Sequence, residues 1–164
     1  MTFKDEQRAL QHLVKEHRWL RHHNRRFKEG DDQADLLLFA EAALILMTLE
    51  RFVRAILGPD ITDTDTLYNL LQRAVSKKLL RLPYDDQDAG TRALKKLLVS
   101  LSGKNVRNTL MHGNFELAAR EAGCSSVDAY FQTVFAGEVE ALYKVTDDLL
   151  GQIEPDTGAP WRHR

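Results

Sequence analysis

Cysteine is nearly absent from this chain. A single cysteine, Cys124, in 164 residues excludes a disulfide framework and every multi-cysteine zinc pattern within one chain. Proline occurs only at positions 59, 83, 155 and 160, where it marks helix ends and a tail. An excess of one charge is lacking too. The 23 Lys and Arg against 24 Asp and Glu leave a formal −1, which taken alone argues against a generic nucleic-acid binder. Long hydrophobic runs are also missing. The most apolar stretch, residues 36–57, is broken by Glu41, Glu50, Arg51 and Arg54, and its longest uncharged run is eight residues. That is far below the ~20 needed to cross a bilayer. Charges are scattered through the first thirty residues, so no signal-peptide core is present. A cytoplasmic protein without membrane contact is the expectation.

What is present is ordinary globular composition, with 43% hydrophobic and 29% charged residues. A chain of this length buries roughly 70% of its unfolded surface, enough to fold as one domain without a metal or disulfide staple. The neutral total hides blocks. Residues 1–28 carry eight basic and three acidic residues, 29–66 two and nine, 67–112 nine and three, and 113–164 four and nine. The balances alternate as +5, −7, +6 and −5, so a positive surface is compatible with a neutral chain. Packed helices of complementary charge would show the same alternation.

Helical periodicity dominates. Phe3, Leu10, Leu13, Val14, His17, Leu20 and Phe27 recur at three- and four-residue steps, marking one apolar stripe that ends at Gly30. Asp31 or Asp32 caps a second helix through Leu36, Leu37, Leu44, Ile45, Leu49, Phe52, Val53 and Ile56, closed by Gly58-Pro59. Being apolar almost all round over 36–49, it is expected to be the central, most buried element. Leu67, Leu70, Leu71, Ala74, Val75 and Leu79 mark a third helix stopping near Leu82-Pro83, and Leu94, Leu97, Leu98 and Leu101 a fourth. A short helical stretch runs from Lys104 to His112, with Gly113 a plausible C′ residue. One or two turns fit between Asn114 and Ala122. The sequence Ser125-Ser126-Val127-Asp128 resembles a capping box ahead of Phe131, Val134, Phe135, Val139, Leu142, Val145, Leu149, Leu150 and Ile153. No strand period of two is visible. The expectation is an all-α, up-and-down helical bundle of four main helices with short extras. It forms a single domain over 1–154, with a basic first helix at 3–28, a core over about 30–153 and a flexible tail at 155–164.

Several groups of residues go beyond packing. His12, His17, His22 and His23 invite a metal reading, but five-residue steps rotate by about 140° and diverge, and no HExxH pattern is present. No metal and no cofactor are expected. Arg18, Arg21, Arg25, Arg26 and Lys28 read as a basic helix face able to touch phosphates, or as solvated surface charge. Glu41 and Glu50 lie in the most apolar helix, where a carboxylate must reach a basic partner or occupy a cleft. A structural ion pair is the preferred account, and the nine-residue spacing is expected to place both on one side.

The segment Arg107-Asn108-Thr109-Leu110-Met111-His112-Gly113 carries the sharpest signal. Asn108 and His112 are i,i+4, so the amide lies on the same face as the imidazole and can orient it. Arg107 is about 140° away around an ideal helix, and a two-fold dimer would bring two such segments into one cleft. The pattern R-N-x-x-x-H-G, late in a helical chain, resembles that of the HEPN superfamily (higher eukaryote and prokaryote nucleotide-binding helical bundles), and of its Apea-like members in particular. Arg18 and His23 have the same four-residue gap, but only 107–113 carries the Asn and the Gly. The architectural resemblance spans about residues 30–150.

The resemblance implies a metal-independent endoribonuclease acting as a homodimer, a toxin or defence effector. His112 would serve as general base on the ribose 2′-hydroxyl or as acid on the leaving oxygen. Arg107 would hold the scissile phosphate, and Asn108 would position the histidine. Lys104, with Arg18, Arg21, Arg25 and Arg26, would add RNA affinity. The products would be a 2′,3′-cyclic phosphate and a 5′-hydroxyl. Some HEPN toxins carry a Tyr two residues after the His that a partner nucleotidyltransferase modifies; here Asn114 stands there. The alternative is a non-catalytic HEPN module binding RNA, a nucleotide, or a partner protein such as an antitoxin or nucleotidyltransferase.

Overall fold

The computed structural model describes residues 3–23, 32–62, 64–81 and 113–152. The expected fourth helix, the tail, and the 104–112 segment lie outside the described residues. Among those described, every regular element is helical, so the protein is all-α there. The elements are α1 (Phe3–His23), α2 (Asp32–Leu57), a 3₁₀ turn (Gly58–Asp60), α3 (Leu67–Ser76) and α4 (Phe115–Glu121). A final helical run then passes through a single α turn (Val127–Ala129), a π-helical stretch (Tyr130–Phe135) and α5 (Ala136–Gly151). None of the described helices is long and apolar enough to cross a membrane.

Local chemistry sets the ends. Gly58, at φ +75°, terminates α2 by entering a conformation that L side chains avoid. The Thr66 hydroxyl accepts the Asn69 backbone N–H and caps α3. At the end of α4, Gly123 (φ +72°) lets Cys124 N–H reach back to the Ala119 carbonyl and its own N–H to Arg120, a Schellman closure. Ser126 caps the last run by accepting the Ala129 N–H at 3.1 Å.

The hub is α2, which packs against α1, α3 and α5. Ile45, Leu49 and Val53 are fully buried in one cluster with Leu70 of α3 and Phe135, Val139, Leu142 and Leu149 of the last run. As its apolar pattern suggests, α2 is the central element among the described residues, although its outer side exposes Leu36 and Met47. The placement of Glu41 and Glu50 on one side fails. Nine residues make two and a half turns; Glu41 is completely buried, whereas Glu50 is half-buried and pairs with Arg54 at 2.9 Å.

Two further helices differ from their sequence patterns. In α3 the chain leaves the helix at Ser76, and Lys78 adopts φ +58°. Leu79 N–H bonds back to Ala74, and the reversal buries Leu80 while turning Leu79 outward. In α1 the inward row is Gln7, Val14, Arg18 and Arg21, and Leu13 and Leu20 of the apolar stripe are exposed. The buried Glu41 carboxylate and the half-buried Glu140 opposite that row decide the rotation of the helix.

Candidate functional site

Of the candidate site residues, Lys104, Arg107, Asn108, His112, Arg25 and Arg26 fall outside the described residues. Gly113 is described and has φ +65°, so the residue that follows His112 occupies a left-handed position suited to glycine. Two residues later α4 begins at Phe115.

Arg18 and Arg21 are described, and their i,i+3 spacing puts both on the inward side of α1. Arg21 Nε donates to Glu41 Oε2 at 2.8 Å, and its Nη2 to Oε1 at 3.3 Å. Arg18 Nη1 donates to Glu41 Oε1 at 3.3 Å and to Glu140 Oε2 at 2.9 Å, while Nη2 reaches Glu140 Oε1 at 3.2 Å. The Arg18 guanidinium also lies over the Tyr143 ring, 3.7 Å from its centroid, a cation–π contact. Two arginines and two carboxylates leave this junction of α1, α2 and α5 formally neutral. A phosphate approaching Arg18 or Arg21 would have to displace a carboxylate from its fork.

The electrostatics follow from burial and pairing. Burial alone would lower the Arg18 guanidinium, but the hydrogen bond and charge of Glu140, helped by Glu41, raise it instead. The Arg18 hydrogen bond outweighs burial and, with the charges of Arg18, Lys144 and His22, holds Glu140 below the usual carboxylate range. Burial, then the nearby charges of Arg21 and Arg18, depress His22, which favours its neutral form. Burial and the charge of Asp147 push Tyr143 up.

Beside the junction, Gln11, Lys15, Thr48, Tyr143, Thr146 and Asp147 line a small cleft whose enclosed part has room for about one water. Thr146, with 4% exposure, places a buried hydroxyl there that makes no hydrogen bond within the protein. That space is too small for a nucleotide.

The first-helix histidines diverge. His12 lies 3.9 Å from Glu16, His22 meets Arg21 at 3.2 Å, and His23 stacks on Trp19 with ring centroids 5.3 Å apart. Among the described residues no three His, Cys, Asp or Glu side chains gather where they could hold a metal ion.

No family model matches the chain, and neither a curated protein nor a solved structure does. Glu140 and Tyr143 are the members of the junction that sequence reasoning missed. They stand three residues apart beside the α5 apolar stripe, and the signal for them was a carboxylate within reach of that stripe. Glu41, flagged for its apolar setting, has the basic partners expected of it.

Proposed function

We propose that this chain is an RNA-cleaving helical bundle of the HEPN kind, in which Arg107, Asn108 and His112 do metal-independent chemistry on the ribose 2′-hydroxyl and the adjacent phosphate. The observation that carries the reading is the R-N-x-x-x-H-G segment, whose glycine stands at φ +65°. A left-handed position directly after the histidine explains why glycine follows it. The all-helical character of the described residues supports the same reading.

Within it, His112 removes the 2′-hydroxyl proton or protonates the leaving oxygen. Arg107 stabilises charge on the phosphate oxygens, and Asn108 orients the imidazole. Arg18 and Arg21, held by Glu41 and Glu140, fix α1 against α2 and α5, which leaves phosphate contacts to Lys104, Arg25 and Arg26. Two copies of the chain assemble the cleft.

The test is cleavage of a generic RNA by purified protein in EDTA. The expected ends are a 2′,3′-cyclic phosphate and a 5′-hydroxyl. His112→Ala should lower the rate by at least ~10²-fold with an unchanged circular dichroism spectrum. Activity that survives His112→Ala, or that requires a divalent metal, overturns the mechanism. A second reading, a non-catalytic module that binds a protein partner, is favoured by the exposed Leu36 and Met47; on that reading intact RNA is recovered from every variant.

A further inference from the structure

The cleft beside the ion junction continues the contact between α1 and α5. Both helices pack on α2 more closely than on each other. The Arg18–Glu140 pair closes one level of their seam at 2.9 Å. Gln11 stands two turns before Arg18 on α1, and Thr146 and Asp147 stand about two turns after Glu140 on α5. At that second level the cleft lies between Gln11 and Lys15 on one side and Thr146 and Asp147 on the other, with Ile45 and Leu150 in its walls.

One group in the cleft has a requirement that no described residue meets. Thr146 is 4% exposed, and its hydroxyl finds no hydrogen-bond partner. A threonine inside a helix can resolve this by bonding the carbonyl four residues back. Thr48, on the α2 wall of the same cleft, does so, donating to the Leu44 carbonyl at 2.8 Å. Thr146 forgoes the equivalent bond to Leu142, which leaves its hydroxyl for a guest. A buried hydroxyl without a partner bears the full cost of its lost hydration. The enclosed part of the cleft measures about 20 Å³, and one water requires ~10–15 Å³ by the same measure. We propose that this cleft is a binding site for a single water molecule, which joins the Thr146 hydroxyl of α5 to the Gln11 amide of α1.

The lining selects a neutral guest that both donates and accepts. The Thr146 hydroxyl and the Gln11 side-chain amide can each take either role. Lys15 and Asp147 are exposed and opposite in charge, so neither an anion nor a cation gains a net attraction from them. Ile45 and Leu150 offer an ion no ligand. Organic molecules exceed the enclosed space. Tyr143 and Asp147 line the same cleft and offer the third contact that buried waters typically make. The water is then a second tie between α1 and α5, beside the Arg18–Glu140 fork, and nearly as good as a direct hydrogen bond. This inference stands independently of whether the chain cleaves RNA.

Two measurements on the full chain test it. A high-resolution crystal structure of the wild type should show a water within hydrogen-bond distance of both Thr146 Oγ1 and the Gln11 side chain. In urea unfolding, Thr146→Val should raise the unfolding constant by about fivefold, because it keeps the shape of the side chain and removes the water's partner. The sign is decisive, since a hydroxyl that faces nothing would make valine the more stable residue. Gln11→Met should cost a similar factor. The double variant should cost much less than the product of the two, because both changes remove one bridge between side chains that do not bond each other directly. A more stable Thr146→Val, effects that simply multiply, or a Thr146 hydroxyl bonded to Leu142 overturns the proposal. So does an ion in place of the water. Where a variant fails to fold, the wild-type crystal decides alone.

Discussion

The two ends of the last helical run are held by different physics. Around the π-helical stretch, Tyr130, Phe131 and Phe135 pack with Phe115, at ring-centroid separations between 4.9 and 6.1 Å. Phe39 of α2 joins Phe115 edge-on at 6.0 Å. Burial there pushes the Tyr130 phenol up to about 12, with the charges of Glu138 and Cys124 adding. At the other region, α1 turns two arginines inward and leaves Leu13 and Leu20 outside. The aromatic side draws stability from area removed from water, which is indifferent to protonation. The ionic side removes charge from water, so much of its Coulomb attraction only offsets desolvation. What it supplies is direction: the forks of Arg18 and Arg21 fit Glu41 and Glu140 at one rotation and one register of α1.

The largest expected effect lies on the aromatic side. Phe135→Ala, at a fully buried position, should cost about 3–5 kcal/mol in urea unfolding, with the same cost at every pH where the protein is folded. A loss below about 1 kcal/mol would mean the aromatic cluster does not hold this region.

The middle effect separates pairing from burial. Arg18→Met leaves Glu140 without its fork and Glu41 with a single partner, and should cost about 2–3 kcal/mol. Replacing the set together, Arg18→Met with Arg21→Met and Glu41→Leu, should recover most of that loss. If the combined variant is no more stable than Arg18→Met alone, the junction contributes stability outright and the contrast with the aromatic side collapses.

The smallest effect is the pH dependence on the acid side of neutrality, which only the ionic side should show; the raised Tyr130 phenol acts at the alkaline end. His22 is depressed in the folded protein, so an unfolded imidazole takes up a proton more readily. Its contribution is complete above about pH 6.5 and is lost as the pH falls through the lower folded value. Glu140 is likewise depressed; its contribution is present above about 4.5 and is lost below that, towards its folded value. Stability should therefore fall on acidification, first with His22 and then with Glu140. His22→Gln should flatten the first step, whereas Phe135→Ala should displace the whole curve without changing its shape. An unaltered step in His22→Gln would assign it elsewhere.

Much of the secondary structure was legible because helix periodicity and end signals are local. Gly58-Pro59, Gly123 and the serines before Val127 stand where helices end or begin. Lys78 hid the end of α3, since a lysine in the left-handed region leaves no sequence mark, and Leu79 kept the apolar rhythm going past the last helical turn. The π-helical stretch was hidden for a similar reason. Its aromatic spacing reads as ordinary α periodicity, and only the backbone of the folded chain shows that the helix has widened. Of the candidate site, Arg107, Asn108, Gly113 and His112 were legible as a motif. The fate of Arg18 and Arg21 was not, because charge on a helix reads as surface until a buried carboxylate faces it.

The sequence by itself determined that this protein is helical, which helices carry apolar faces, and that Glu41 had to find a cation, since an unpaired buried carboxylate is too costly. It also marked 107–113 as the segment where chemistry is proposed. Only the tertiary structure decided which side of α1 faces inward, which arginines are consumed in holding it there, and which face of α2 remains exposed with Leu36 and Met47. Those outcomes depend on residues more than a hundred positions apart, as Arg18 and Glu140 are, and no local pattern carries information across that separation.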